Sequence, residues 1–205
     1  MHNNLSNDED DQEDFDLSNF KVDWLDLQFA GSQQKLGICG LPGCRFKDRW
    51  RSLVHDIECL KQEGVQDVFC LCTKGEFYLY RTQDILEKYC DAGFTVHHYP
   101  IDDGQIPAFV DLIKIIEDLQ ATVSAGKRTI IHCFGGLGRS CVVAACLMMV
   151  MNDSLAHDDV ARKLKELRGN GAIQSIKQYN LVTEFRDLLI KHKENADAER
   201  QNLSR

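Results

Sequence analysis

Eleven residues in the second half of the chain, Ile130-Ile131-His132-Cys133-Phe134-Gly135-Gly136-Leu137-Gly138-Arg139-Ser140, join two stretches of different character. Before Cys133 stands Thr129-Ile130-Ile131-His132, β-branched and apolar, which reads as a buried strand. After Ser140 comes the apolar run Cys141 to Met151, which reads as a helix over about 139–151. A buried strand that passes through a glycine-rich turn into a helix restricts the chain to a layered α/β arrangement. It also creates a site. A helix N-terminus has unpaired N–H groups and the positive end of a dipole, both suited to an anion. Gly135, Gly136 and Gly138 can take backbone angles closed to other residues. Such a loop can curl until successive N–H groups point inward and form a nest for oxyanions.

The side chains of the loop fit that nest. Cys133 falls at its base, where a helix terminus and a nearby cation favour the thiolate over the thiol. Arg139, six positions later, can close the ring with a two-pronged grip on two phosphate oxygens, a geometry that Lys does not supply. Ser140 places a hydroxyl near the sulfur, where it can ease departure of the thiolate. Phe134, Gly135, Gly136, Leu137 and Gly138 supply the phosphate-binding backbone. His132 is either a buried histidine bonded to backbone or the group that orients the loop and tunes the thiolate. Hydrolysis through a phosphocysteine also needs an acid for the leaving oxygen and an activated water. Pro100-Ile101-Asp102-Asp103-Gly104 offers two acids, Asp102 and Asp103, which composition alone does not separate.

The rest of the chain alternates strand and helix from Phe29 onward. Strands are expected at Lys35 to Cys39, Val65 to Cys72 and Phe94 to Tyr99. Helices are expected after Asp48, which serves as a cap ahead of Leu53, Ile57 and Leu60 with Gly64 as the stop, and at Asp84 to Cys90. A longer helix, Ile106 to Ser124, takes Pro107 in its first turn and buries Ile113, Ile116 and Leu119. Two further helices are expected over 156–168 and 175–192. The fold class is α/β, a central, mostly parallel sheet flanked by helices. Residues 1–20 read as an acidic disordered tail, 21–193 as one domain, and 194–205 as a frayed polar tail.

Charge and cysteine content remove other classes. The chain carries −8, and seven carboxylates between Asp8 and Asp16 account for nearly all of it, leaving −1 on the rest. No basic stripe suggests nucleic acid. The Cys141 to Met151 run is too short to span a bilayer, and no secretory signal precedes the domain. Nine cysteines without framework spacing imply a reducing compartment; the location expected for the chain is cytoplasmic, with a perinuclear or nuclear share. Cys39 with Cys44, or Cys70 with Cys72, lacks metal partners at zinc-type spacing, so no metal and no cofactor is expected. Cys72 and Cys141 are candidate backup thiols for an oxidised Cys133, and buried inert cysteines are the plainer reading.

The segment His132 to Ser140 matches the His-Cys-x5-Arg-Ser signature of the protein tyrosine phosphatase superfamily. Cys39-Gly40-Leu41-Pro42-Gly43-Cys44-Arg45-Phe46-Lys47-Asp48, Cys72-Thr73-Lys74-Gly75-Glu76, and Arg168 through Gln178-Tyr179-Asn180 with Glu184-Phe185-Arg186 resemble the cyclin-dependent kinase-associated, dual-specificity phosphatases. The resemblance covers about residues 30 to 190. It implies the dual-specificity phosphatase fold, and it favours Asp103 as the loop acid. It also implies that Gln174 and Gln178 form a water-positioning loop, with Ser175 where Thr is usual. Arg168 then braces the loop or simply ends its helix. The implied partner is a phosphorylated cyclin-dependent kinase, dephosphorylated at its activation-segment threonine by a monomeric enzyme. The uncharged loop between Cys133 and Arg139 argues against a phosphoinositide or RNA phosphate as substrate. Selecting one folded kinase needs an extended interface, for which Lys177, Tyr179, Asn180 and Glu184 are candidates. The competing function is a stoichiometric kinase-binding inhibitor that acts by contact.

Overall fold

The computed structural model describes residues 15–203. Its strands and helices follow in the order β1 (Asp23–Asp26), a 3-10 turn (Leu27–Ala30), β2 (Lys35–Cys39), β3 (Arg45–Phe46), β4 (Arg49–Trp50), α1 (Leu53–Gln62), β5 (Asp67–Cys70), α2 (Lys74–Leu79), α3 (Ile85–Asp91), β6 (Thr95–His98), α4 (Phe109–Ser124), β7 (Thr129–His132), α5 (Arg139–Met151), α6 (His157–Arg168) and α7 (Ile176–Leu203). The main sheet has the order β1-β2-β7-β5-β6, and β3 with β4 forms a separate hairpin. β1 runs antiparallel to β2, and the other neighbours are parallel.

β7 is paired on both edges, by β2 and β5, and core clusters cover both its faces, which is why Thr129-Ile130-Ile131-His132 shows no polar alternation. Successive side chains point to opposite faces. Ile131 joins the cluster with Leu112, Ile116 and Leu119 of α4, Leu147 of α5 and Phe185 of α7. Ile130 joins the other cluster, with Ile57 and Leu60 of α1, Phe77 of α2, and Ile85 and Tyr89 of α3. α5 is buried from Arg139 through Met149, so its apolar run is a central core helix. No described helix is long and apolar enough to cross a membrane.

Several sequence expectations change. Ser52, not Asp48, caps α1, accepting from the His55 N–H at 3.3 Å, because Arg45–Trp50 is spent on the hairpin. Pro107 precedes α4, which begins at Phe109. α7 continues to Leu203, so residues 194–203 are helical where fraying was expected. The acidic tail expected over 1–20 lies outside the described residues up to 14, and its last part is anchored. Arg51 grips Asp56 through Nε and Nη2 at 2.9 and 2.7 Å, Asp16 at 2.9 Å, and the Ser18 carbonyl at 2.6 Å. Phe20 is buried and belongs to the core cluster that Ile57 and Leu60 of α1 and Ile85 and Tyr89 of α3 also join.

Candidate active site

β7 ends at His132, and α5 begins at Arg139 with Gly138 as its cap residue and no side-chain cap. The loop between them is held from outside by its carbonyls. The Phe134 carbonyl accepts from Leu41 N–H at 2.9 Å, and the Leu137 carbonyl from Ile173 N–H at 3.0 Å. Arg168 donates to the Gly135 and Gly136 carbonyls, each at 3.0 Å, and is itself anchored by Asp23. Four successive carbonyls are thus drawn outward. No hydrogen bond among the described residues uses the N–H groups of Phe134 to Gly138. That is the arrangement an anion nest requires. Cys133 sits at its base with 3% of its surface exposed.

The glycines serve different ends. Gly136 has φ +65°, and a Cβ there would come within 2.6 Å of the Cys39 carbonyl carbon and 2.8 Å of Arg168 Nη2. Gly138 has φ −83°, but a Cβ there would meet Gln178 Oε1 at 2.9 Å and Gln174 Oε1 at 3.0 Å. Of the three glycines, only Gly136 therefore uses left-handed backbone; Gly138 makes room for the two glutamines. Gly135 would meet nothing closer than Leu137 at 3.8 Å.

Arg139 is 2% exposed and almost saturated. Nη1 donates to Glu76 Oε2 at 2.7 Å and to the Ile101 carbonyl at 2.8 Å. Nη2 donates to Glu76 Oε1 at 2.6 Å and to Asp103 Oδ1 at 2.9 Å. Burial works against the guanidinium charge, but Glu76 and the sulfur of Cys133 outweigh it and hold Arg139 firmly protonated. Burial likewise opposes ionisation of Glu76, yet Arg139 and the Thr73 amide keep its carboxyl below the usual range. Glu76 is fixed by a reciprocal capping box with Thr73 at the start of α2. The Nε of Arg139 is buried and has no partner; the same is true of Ser140 Oγ and His132 Nδ1 among the described residues. Buried polar atoms are rarely left unpaired, so orphans gathered at one loop mark a site for a ligand. On Arg139 the open edge runs from Nε to Nη2, the edge a phosphate would take, and Asp103 now stands at its end.

Asp103 and Asp102 are thereby separated. Asp103 reaches the Arg139 guanidinium with 64% of its side chain still exposed. Asp102 lines a different cleft with Tyr99, Ile106 and Pro107. Gln174 is exposed beside Gly138. Gln178 is 1% exposed and spent on structure: its Oε1 accepts from Gln174 N–H at 3.0 Å and its Nε2 donates to the Gln105 carbonyl at 3.3 Å. Ser175 Oγ donates to the Gly104 carbonyl at 2.9 Å. Both glutamine side chains lie against Gly138, but Gln178 is buried and tied to the Gln174 N–H and the Gln105 carbonyl, whereas Gln174 is exposed. His132 Nε2 pairs with the buried Tyr89 hydroxyl at 3.1 Å. Lys177, Tyr179, Asn180 and Glu184 are all exposed on α7, and Lys177 Nζ reaches Gln105 Oε1 at 2.7 Å, next to the acid loop. Sequence reasoning gave no role to Glu76. Its Thr73-x-x-Glu76 spacing signals a helix start, but nothing local signals the pairing with Arg139.

A family model described as Cyclin-dependent kinase inhibitor 3 matches residues 2–161. The chain belongs to the cyclin-dependent kinase inhibitor 3 family. Human cyclin-dependent kinase inhibitor 3 is 43% identical over 200 residues, covering 98% of this chain and 94% of the human protein. A crystal structure of kinase associated phosphatase, with its catalytic-site cysteine replaced by serine, superposes with a TM-score of 0.84. It is 43% identical and covers 85% of this chain and 98% of that one. Human protein tyrosine phosphatase type IVA 3 is 32% identical over 136 residues, 63% of this chain and 69% of that protein. This member of the cyclin-dependent kinase inhibitor 3 family is a phosphatase of the protein tyrosine phosphatase superfamily, with the mostly parallel, helix-flanked sheet of that fold.

Proposed function

We propose that the chain removes phosphate from a phosphothreonine on a cyclin-dependent kinase, with Cys133 as nucleophile and Asp103 as general acid. The phosphate oxygens occupy the nest from Phe134 to Gly138, and the Nε–Nη2 edge of Arg139 takes two of them, displacing the Asp103 carboxylate from that edge. The Cys133 thiolate attacks phosphorus while protonated Asp103 gives its proton to the departing oxygen. A water beside Gln174 then attacks the phosphocysteine. Asp103, now a carboxylate, takes the water's proton, and phosphate leaves. Ser140 donates its hydroxyl to the returning thiolate; its unpartnered Oγ leaves it available. His132 holds the base of the loop through Tyr89.

The single observation that supports this reading is the Asp103–Arg139 contact, which ties the acid loop to the guanidinium that ends the phosphate loop. The kinase as partner rests on the family and on the exposed α7 face of Lys177, Tyr179, Asn180 and Glu184, anchored beside the acid loop. A reducing compartment fits nine free cysteines. The name of the human relative also favours a second reading, inhibition by contact. A Cys133→Ser protein separates the two. If catalysis is the function, it captures phosphorylated kinase from a mixture of both forms and leaves kinase activity to recover on dilution. Equal capture of unphosphorylated kinase, with full inhibition at stoichiometric amounts, would favour contact.

A further inference from the structure

Behind the phosphate loop, beside His132, lie two thiols that the catalytic cycle does not use. Cys70 ends β5 and His132 ends β7, and the two are register partners in the parallel ladder, so their side chains leave the same face of the sheet. Cys72 follows two residues after Cys70. The ligand atoms of Cys70, Cys72 and His132 all lie within 4.8 Å of one another, and all three residues are buried. His132 spends Nε2 on Tyr89, and its Nδ1, fully buried, has no partner. Neither thiol is in a disulfide. The Cys70-x-Cys72 spacing alone lacks its remaining ligands in the sequence; β-sheet register supplies one from sixty residues away.

We propose that Cys70, Cys72 and His132 form a site for a thiophilic cation such as Zn2+, whose occupancy reversibly arrests the phosphatase. Two thiolates and one imidazole with an open fourth position is an established zinc donor set. Tetrahedral Zn–S bonds of about 2.3 Å and Zn–N bonds of about 2.0 Å set the donor atoms roughly 3.5–3.8 Å apart, so a cluster lying within 4.8 Å closes on the ion by no more than about 1.3 Å. Binding converts two thiols to thiolates and releases two protons, with no change in oxidation state. The Tyr89 hydroxyl on Nε2 gives the ligating imidazole the outer hydrogen bond that metal-bound histidines require. Arrest follows from position. His132 precedes Cys133 directly, and Cys133 is within electrostatic reach of Cys72. A dication placed there ties down the base of the loop through His132 and draws on the negative charge of the neighbouring Cys133 sulfur without ligating it. The arrest rests on the phosphatase reading above, but the binding does not.

The test uses the full-length, reduced, metal-free protein. Titration with Co2+ should produce thiolate-to-cobalt charge-transfer absorption that Zn2+ displaces. Cys133→Ser should retain the band, while Cys70→Ala and Cys72→Ala lose it. Zn2+ should inhibit turnover of an aryl phosphate and a chelator should restore it. Cys70→Ala should keep its basal turnover, which also reports its folding, and need at least ~10-fold more Zn2+ for the same inhibition. In the unmodified protein, Zn2+ should shield Cys70 and Cys72 from alkylation, read by mass spectrometry, so the test survives a variant that does not fold. Loss of the band in Cys133→Ser with retention in Cys70→Ala would put the ion on the catalytic sulfur and overturn the proposal. So would absence of both the band and the shielding. Binding that persists in a protein without phosphatase activity would overturn the function and leave the site.

Discussion

The phosphate loop and the acid loop face each other across the site and are built in opposite ways. Residues 133–139 have their carbonyls fastened by Leu41, Arg168 and Ile173, their arginine clamped by Glu76, Gly136 packed against the Cys39 backbone and Gly138 against the Gln174 and Gln178 amides. The acid loop at 100–105 has Asp103 largely exposed, and Gly104, at φ +71°, has nothing within 4 Å of a Cβ. Its ties are the Ile101 carbonyl and Asp103 to Arg139, the Ile101 N–H to the Leu71 carbonyl, the Gly104 carbonyl to Ser175, and Gln105 to Gln178 and Lys177. The contrast follows from the chemistry. A cradle for a dianion must be preorganised, because its amides do their work without reorganising. An acid that first gives and then takes a proton must approach and withdraw.

The sharpest way to break this comparison is to remove its chemical centre. Cys133→Ser should lower turnover of an aryl phosphate by ~10⁴ or more while phosphopeptide affinity stays within a few fold, measured by steady-state kinetics and calorimetry. Asp103→Asn should lower kcat by roughly 10²–10⁴ for a phosphothreonine peptide, and by much less for an ester whose leaving group needs no proton. Asp102→Asn should leave both within a few fold. An equal loss from the two substitutions would undo the separation between the acids.

Stability measurements sharpen the same contrast. Glu76→Gln removes one partner of a buried ion pair and should cost about 3 kcal/mol in urea unfolding at neutral pH. The folded state lowers the Glu76 carboxyl, so its stabilisation is fully present above the unfolded value of about 4.3 and fades as pH falls through the lower folded value. The wild-type protein should lose stability on acidification below about pH 4, and the variant should lose less over that window. Two glycine substitutions compare the loops directly. Gly136→Ala should cost about 3 kcal/mol and abolish phosphate binding, because a Cβ has no space beside Cys39 and Arg168. Gly104→Ala shares the left-handed backbone but meets open space, and should cost only about 1–2 kcal/mol with phosphate binding intact.

The same two regions explain what could be read from the sequence. The phosphate loop is contiguous, so its strand, nucleophile, glycines, arginine and helix start stand in order along the chain. The acid loop could be located but not resolved. Asp102 and Asp103 are adjacent carboxylates, and only the turn of the backbone decides which one meets Arg139. Glu76 was invisible as a partner because it lies 63 residues from Arg139, and α2, with six residues, is too short to show periodicity. The cap of α1 was misplaced because Asp48 and Ser52 are both good caps, and the hairpin register chose between them. The end of α7 was lost because its polar continuation carries no apolar stripe past Ile190.

The most direct test of the account is to catch the intermediate. Gln174→Ala, which removes the side chain proposed to sit beside the attacking water, is mixed with a phosphothreonine peptide, quenched in acid within milliseconds, and digested for mass spectrometry. The phosphoryl group should appear on the peptide carrying Cys133, and it should vanish in the Cys133→Ser background. Phosphate on any other residue, or steady turnover with no phosphorylated Cys133 at any quench time, would contradict it.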